Sequence, residues 1–332
     1  MMKNTGQSDM ADRITVIIPY YQKNAGILRK AVASAMTQDV QADVQVIVVD
    51  DASPVPASSE LADLIAQYPG QIHIITQANA GPAAARNKGL DHVPAGTEYV
   101  AFLDSDDEWI ATHLSNALMS LNAGCDFYFA DHYQLHQTVS AFNRAKRIAV
   151  SEHPCIAGAE HLHAYEGDMF DQILRGNIIG TSTVVYRYAK FPKQRFHEEF
   201  VYAGEDYLFW LELAQQTKKI AFSALCECKY GEGVNIFSGS GWGTENSLIR
   251  IHHEMKFKKA LTRFFSLNQA QLAFNAEAVR TLRSSFVADV LHRLSHRRKL
   301  DSSLLRRHFH IDPQSFFYFV PLAISLKLKR SN

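Results

Sequence analysis

"VQVIVVDDAS", residues 44–53, decides the fold. Five of its first six residues are Val or Ile, and two aspartates follow directly. A short, nearly unbroken apolar run predicts a strand buried on both faces, as in a parallel sheet, with Asp50 and Asp51 at its carboxyl end. Upstream, "ITVIIPY" (14–20) is a run of the same kind. Between the two, Ile27, Leu28, Ala31, Val32, Ala35 and Met36 recur at helical spacing. Downstream, "IHIIT" (72–76) and "YVAFLD" (99–104) read as further strands, and 82–90 as a helix with proline at its first position. Strand and helix in alternation predict an α/β fold, a mostly parallel sheet covered by helices on both faces.

The second half is more mixed. "DFYFADHYQL" (126–135), "IIGTSTVVYR" (178–187) and "KKIAFSALCECKY" (218–230) read as strands, "EDYLFWLELAQQ" (205–216) as a helix, and 136–160 as a mobile loop. "GEGVNIFSGSGWG" (231–243) is a glycine-rich loop, and the chain from Glu245 is mostly helical. The expected organisation is a main α/β domain over 1–244 and a basic helical extension over 245–332. The 332 residues are 47% hydrophobic and 20% charged, as in a soluble globular protein. No apolar run reaches spanning length and the polar start is unlike a signal peptide, so a cytoplasmic address is expected. Cys125, Cys155, Cys226 and Cys228 lack zinc-ribbon spacing and read as reduced thiols. Net charge is zero, but from Glu245 onward there are 16 Lys and Arg against 6 Asp and Glu, leaving 18 against 28 elsewhere. A basic tail on an acidic body points to an anionic partner for the tail.

Open parallel sheets bind ligands beyond the carboxyl ends of their strands. Two acidic groups fall there: Asp50-Asp51, and Asp104, Asp106 and Asp107 within "AFLDSDDEW" (101–109). Crowded carboxylates are costly unless a cation or hydrogen bonds offset them. Asp104-Ser105-Asp106 has the oxygen donors that Mg²⁺ or Mn²⁺ selects, and such an ion keeps positions open for phosphates. The plainer reading is that Asp106 or Asp107 caps the helix expected after Trp109. A calcium loop ranks lower, since Trp109 and Ser115 stand where it needs Gly and Glu.

"TVIIPYY", "VVDDAS", "NAGPAAARNKGL", "AFLDSDDEW" and "GEDYLFWLEL" occur in this order. With them, residues 13 to 235 resemble the family 2 glycosyltransferases, enzymes of the GT-A (Rossmann-like) fold that move a sugar from a nucleotide diphosphate sugar to an acceptor. The resemblance implies that Pro19, Tyr20 and Tyr21 line the nucleotide pocket with Asn79 and Gly81, and that Asp50 or Asp51 accepts hydrogen bonds from base or ribose. It implies that Arg86 meets the diphosphate or the base, that Asp104 with Ser105 touches ribose or donor sugar, and that Asp106, with Asp104, holds Mn²⁺ or Mg²⁺. Asp206, beside Glu205, takes the place of the general base, and direct displacement would invert the anomeric centre. Trp210 and Trp242 are candidates to face the acceptor. The plainer readings are surface arginine for Arg86, helix-dipole carboxylates for Glu205 and Asp206, and core packing for Trp210.

The expected donor is a UDP-hexose and the expected acceptor a polysaccharide or lipid-linked oligosaccharide. Sugar-phosphate nucleotidyl transfer ranks below this, because no glycine-rich basic signature follows the first strand. A degenerate nucleotide- or carbohydrate-binding protein is disfavoured by the intact Asp104, Asp106 and Asp206. In the tail, Arg293, Arg297, Arg298, Lys299, Arg306 and Arg307 precede Phe316, Phe317, Tyr318 and Phe319. Such a pattern suits an anionic membrane surface at the inner face of the cell membrane, slightly ahead of an inward-packed helical subdomain or a dimer contact. No recognition motif supports a nucleic-acid partner. His132 with His136 and His161 with His163 lack a firm third ligand and read as surface histidines; His252 or His253, at the start of a basic helical stretch, reads as exposed before it reads as a group approaching metal or diphosphate.

Overall fold

The computed structural model describes residues 12–156, 158–233, 241–317, 319–321 and 324. The chain divides into two compact units, 1–198 with 206–234, and 199–205 with 235–332.

The first unit opens with β1 (Arg13–Tyr20), α1 (Leu28–Met36), β2 (Asp43–Asp50), α2 (Ala57–Gln67), β3 (Ile72–Thr76), α3 (Pro82–Leu90) and β4 (Tyr99–Phe102). It continues with β5 (Glu108–Trp109), α4 (His113–Asn122), β6 (Phe127–Tyr133), α5 (Ala141–Ala145), β7 (Cys155–Ile156), β8 (Ala159–Ala164), α6 (Met169–Arg175), β9 (Val185–Arg187), α7 (Glu205–Gln216) and β10 (Ile220–Lys229). These strands form one sheet in the order β3-β2-β1-β4-β9-β6-β10-β8-β7, with β5 on β10. The pairs β3–β2, β2–β1, β1–β4 and β6–β10 are parallel, while β9 runs antiparallel between β4 and β6.

Strand β2 shows why its sequence is apolar throughout. Val44, Val46 and Val48 pack into the main core with Leu28, Ala31, Val32 and Ala35 of α1, Leu61 and Leu64 of α2, and Leu114 and Leu121 of α4. Ile47 and Val49 point the other way, onto Ala85 of α3. Both faces are covered, as expected of a parallel strand. On the α3 face, a Cβ on Gly89 would stand 2.5 Å from Ile17 Cγ2, so helix and strand pack at a distance only glycine permits. Strands leave β1 in both directions, so the order reverses between β1 and β4, and a ligand cleft is expected at that end.

Several expectations are corrected. Residues 136–160 carry α5, β7 and the start of β8 as well as loop. In 178–187 only Val185–Arg187 is strand, because Thr181–Thr183 turns as a 3₁₀ helix. Trp109 pairs in β5 and α4 begins at His113, so neither Asp106 nor Asp107 caps that helix. Strand alternation would turn Cys226 and Cys228 to one face, but bulges interrupt β10 around them, leaving Cys228 in the core and Cys226 half-buried beside Tyr133 and Ser140. All four cysteines are free thiols.

The second unit holds α8 (Ser247–Phe264), α9 (Gln269–Ser295), α10 (Ser302–Ile311) and α11 (Gln314–Phe317) around Leu248, Ile251, Phe286, Val290 and Leu304. Its limits differ from the expected break at 244/245. Residues 199–205 join it because Glu199 pairs with Arg263 and Phe200 packs edge-on against Phe264. Gly239, in the expected glycine-rich loop, lies outside the described residues, as does Tyr318. No helix among the described residues is long and apolar enough to cross a membrane.

Candidate active site

The acidic ends of β2 and β4 lie on either side of β1, and each aspartate is held differently. Asp50 accepts the Ser53 N–H at 2.7 Å and the Ala57 N–H at 2.8 Å, so its carboxylate shapes the turn into α2. Asp51 accepts from the Gln77 side chain and from the N–H groups of Ala80 and Gly81, each at 2.8 Å. Asn79 donates back to the Asp51 carbonyl at 3.1 Å. Gly81, at φ +90°, turns the chain into α3, and Pro82 begins the helix. Negative charge thus organises the loop before a helix start, where N–H groups converge.

After β4 the chain makes a tight turn, the Asp107 N–H reaching the Asp104 carbonyl at 3.1 Å. Arg86, buried on α3, donates to Asp104 Oδ1 at 2.5 Å and lies over the Phe196 ring, 5.3 Å from its centroid. Asp104 keeps about a third of its side chain exposed. Asp106 is half-buried, and burial together with the charge of Asp104 pushes its pKa up to about 6. Asp107 is buried, and burial followed by the charges of Asp104 and Asp106 raises its pKa well above the carboxylate range. It accepts from Ser182 Oγ at 2.5 Å and from the Gly231 N–H at 3.1 Å. Ser182 Oγ also receives the Asp104 N–H at 3.0 Å, so one hydroxyl braces both ends of the turn. Ser105 is buried and accepts from Gln22 Nε2 at 3.2 Å.

Asp206 stands in the first turn of α7 and accepts its neighbour Tyr207's N–H at 2.8 Å. Some of its surface remains accessible, yet burial raises its pKa, the Arg86 charge opposes that rise, and Asp104 adds to it. Arg86, Asp104 and Asp206 therefore share one electrostatic neighbourhood, though 120 residues separate the first from the last.

The model of the family described as "Glycosyl transferase family 2" matches residues 15–189, more than half the chain. The protein belongs to this family. The succinoglycan biosynthesis protein ExoW of Rhizobium meliloti is 37% identical over 233 residues, covering 68% of this chain and 70% of ExoW. The minor teichoic acid biosynthesis protein GgaA of Bacillus subtilis is 27% identical over 65% of this chain and 46% of its own length. The chain thus spans 70% of one of these relatives and less than half of the other. A mannosyltransferase from Pyrobaculum calidifontis, solved with GDP-Man and Mn²⁺, shares the fold with a TM-score of 0.57 at 15% identity, covering 95% of this chain and 88% of that one. The TarS 1–349 fragment of S. aureus with UDP-GlcNAc gives 0.52 at 16%, covering 91% and 80%. The chain is a glycosyltransferase of GT-A fold, and the nucleotidyltransferase alternative falls away.

In this family 2 glycosyltransferase, several expected contacts belong to packing. Tyr20 is 1% exposed in the main core, because the alternation of β1 turns it inward, whereas Pro19 and Tyr21 remain half-buried. Trp210 is fully buried, stacked on Phe127 at 5.7 Å and packed against Phe102, Phe196 and Phe209, so it offers no surface to an acceptor. Trp242 is 53% exposed in the second unit, with its ring beside His292. Glu205 opens α7 half-buried. His132, His163 and His252 are buried rather than superficial. His252 Nδ1 lies 3.4 Å from His308 Nδ1, and burial lowers both pKa values to about 4.

No group of three or more His, Cys, Asp or Glu among the described residues gathers as a metal cage. Asp104 and Asp106 nonetheless fit a hard cation: both are oxygen donors, and the half-buried Asp106 carboxyl has a raised pKa that a cation would relieve.

Sequence reasoning missed the frame around these aspartates. Ser182 comes from a stretch read as strand. Asn87, next to Arg86, exchanges hydrogen bonds with the Phe196 backbone at 2.8 and 2.9 Å. Tyr230 stacks on His132 at 4.8 Å, and a Cβ on Gly180 would stand 2.5 Å from the Tyr230 hydroxyl. Gly231 and Gly233 lie against Asp106, where a Cβ on Gly231 would land on the Asp106 carbonyl. The glycine pair in "GEG" was the available signal; it reads as flexibility and is here close approach.

Proposed function

We propose that this glycosyltransferase transfers a hexose with inversion from a nucleotide diphosphate sugar, UDP-linked, to a polysaccharide or a lipid-linked oligosaccharide at the inner face of the cell membrane. The observation that carries the reading is the shared neighbourhood of Arg86, Asp104 and Asp206 at the carboxyl end of the parallel strands. The loop of Asp51, Asn79 and Gly81, with Pro19 and Tyr21, would hold the nucleotide. Asp50 or Asp51 would accept hydrogen bonds from the base or ribose, although both oxygens of each carboxylate also bind the backbone or side chains of the loops beside them. Arg86 would turn part of its guanidinium from Asp104 to the diphosphate. Asp104 and Asp106 would hold Mn²⁺ or Mg²⁺, which when bound offsets the charge of the departing diphosphate.

Asp206 is the general base. An acceptor hydroxyl oxygen attacks the anomeric carbon, its proton passes to the Asp206 carboxylate, and the bond from that carbon to the phosphate oxygen breaks on the opposite side. Burial makes the ionised Asp206 a stronger base than a solvated carboxylate, and the Arg86 charge favours its ionised form. The test is a panel of UDP- and GDP-sugars incubated with Mn²⁺ and candidate acceptors, with the product's anomeric configuration read by NMR. A product retaining the donor's configuration would overturn the direct displacement.

A further inference from the structure

We propose that Tyr230 is a donor-sugar contact: its phenol, set by His132 and Gly180 at the carboxyl end of β10, donates a hydrogen bond to a hydroxyl of the hexose carried on the nucleotide diphosphate.

Topology brings this residue to the site. Strand β9 runs antiparallel to both β4 and β6, and β10 is parallel to β6, so β4, β6 and β10 all end on one edge of the sheet. Asp104 follows β4, His132 stands next to the end of β6, and Tyr230 follows β10. The Tyr230 N–H donates to the Tyr133 carbonyl at 3.1 Å, and the N–H of the next residue, Gly231, donates to Asp107 at 3.1 Å. The backbone at Tyr230 is therefore tied to β6 on one side and to the acidic turn on the other.

The side chain is held as firmly. His132, 2% exposed, stacks on the phenol ring at 4.8 Å with the planes 18° apart. Gly180 closes against the hydroxyl, since a Cβ there would stand 2.5 Å from the phenolic oxygen and 2.8 Å from His132 Cε1. Two residues on, Ser182 braces Asp104 and Asp107, so phenol and acidic turn share one frame. Among the described residues the Tyr230 hydroxyl takes part in no hydrogen bond. Tyr20 and Tyr186 also lack partners for their hydroxyls, but both are sealed in the core, whereas Tyr230 is half-buried at the strand ends. A positioned hydroxyl of this kind is suited to a ligand's polar group. Burial, then the charges around it, Asp107 foremost and Asp104 and Asp206 among them, raise its pKa well above the usual phenol value. The group therefore stays protonated and donates. Asp104 and Asp206 both act on it, and the hexose must span those two acids if its anomeric carbon is attacked on the side away from the diphosphate.

This rests on the reading of a nucleotide diphosphate hexose as donor, and the two can be told apart. The full chain with Mn²⁺ is titrated with UDP, GDP and their hexose conjugates. Tyr230→Phe keeps the stack and should weaken the preferred sugar nucleotide about three- to tenfold, with the free nucleotide diphosphate and the thermal midpoint unchanged. One monodeoxy hexose donor should bind the parent as weakly as the variant binds the full donor, and lose nothing further on the variant. Gly180→Ala, at a backbone φ of −82° and ψ of 127° that alanine accepts, should also weaken the sugar nucleotide by displacing the phenol. Equal affinity of parent and Tyr230→Phe for the sugar nucleotide, or equal loss for it and for the free diphosphate, would overturn this inference alone. A parent that binds no UDP- or GDP-hexose would overturn the donor reading and this inference with it.

Discussion

Replacing Gly231 with alanine tests the frame around the acidic turn. The new methyl would fall on the Asp106 carbonyl oxygen and 2.8 Å from its carbon, well inside contact distance. That carbonyl belongs to a turn closed by hydrogen bonds on both sides, so the segment after β10 must move instead. Moving it breaks the 3.1 Å bond from the Gly231 N–H to Asp107. Loss of a hydrogen bond to a carboxylate costs about 1.5–3 kcal/mol, and overpacking falls in a similar range. For a unit of this size the thermal midpoint should drop by roughly 3–12 °C. Metal-dependent donor binding should weaken with it, because Asp106 loses its cover. Gly124→Ala is the control: it sits at φ +103° with nothing within 4 Å of the new methyl, so it should lower the midpoint through backbone strain alone and leave donor binding intact. Calorimetry of both variants with UDP and Mn²⁺ decides the matter. Parental stability and binding in Gly231→Ala, or equal loss of binding in both variants, would refute the steric argument.

Asp206→Asn should lower turnover by about 10²–10⁴-fold while donor affinity holds, measured by kinetics and titration calorimetry. The same variant should melt higher at neutral pH, since a carboxyl whose pKa is raised on folding destabilises the fold as pH climbs above its unfolded value. The acid limb of kcat/KM should lie above the usual carboxylate range of about 4, and Arg86→Gln should move it further toward neutrality by removing the charge that favours the ionised form of Asp206. Trp210→Ala should destabilise by about 3–5 kcal/mol in a denaturant melt, while Trp210→Phe leaves the acceptor KM unchanged, as a residue of the aromatic core should.

Strand and helix periods are local properties, so β1 to β4, α7 and β10 were legible from residue order alone. The placement of acids at strand ends follows from the same reading, because the carboxyl end of a parallel strand is known once the strand is. Burial is not local. "YLFW" (207–210) cannot distinguish a tryptophan that meets a sugar from one that stacks on Phe127, and only the packing of α7 on the sheet placed Trp210 inside. Tyr20 turned inward for the same reason, through the alternation of a strand whose two faces are both covered.

The order of apolar runs and acidic tips determined β1 to β4, the helices between them and the family resemblance without help from coordinates. The tertiary structure alone decided which aspartate does what: Asp50 and Asp107 are bound into the frame, Asp104 meets Arg86, and Asp206 comes near both from far along the chain. It alone decided that Phe316 and Phe317, neighbours in sequence, face opposite ways. The physical reason is that period and propensity depend on a few adjacent residues, whereas hydrogen-bond partners and exposure depend on which distant segments the fold brings alongside.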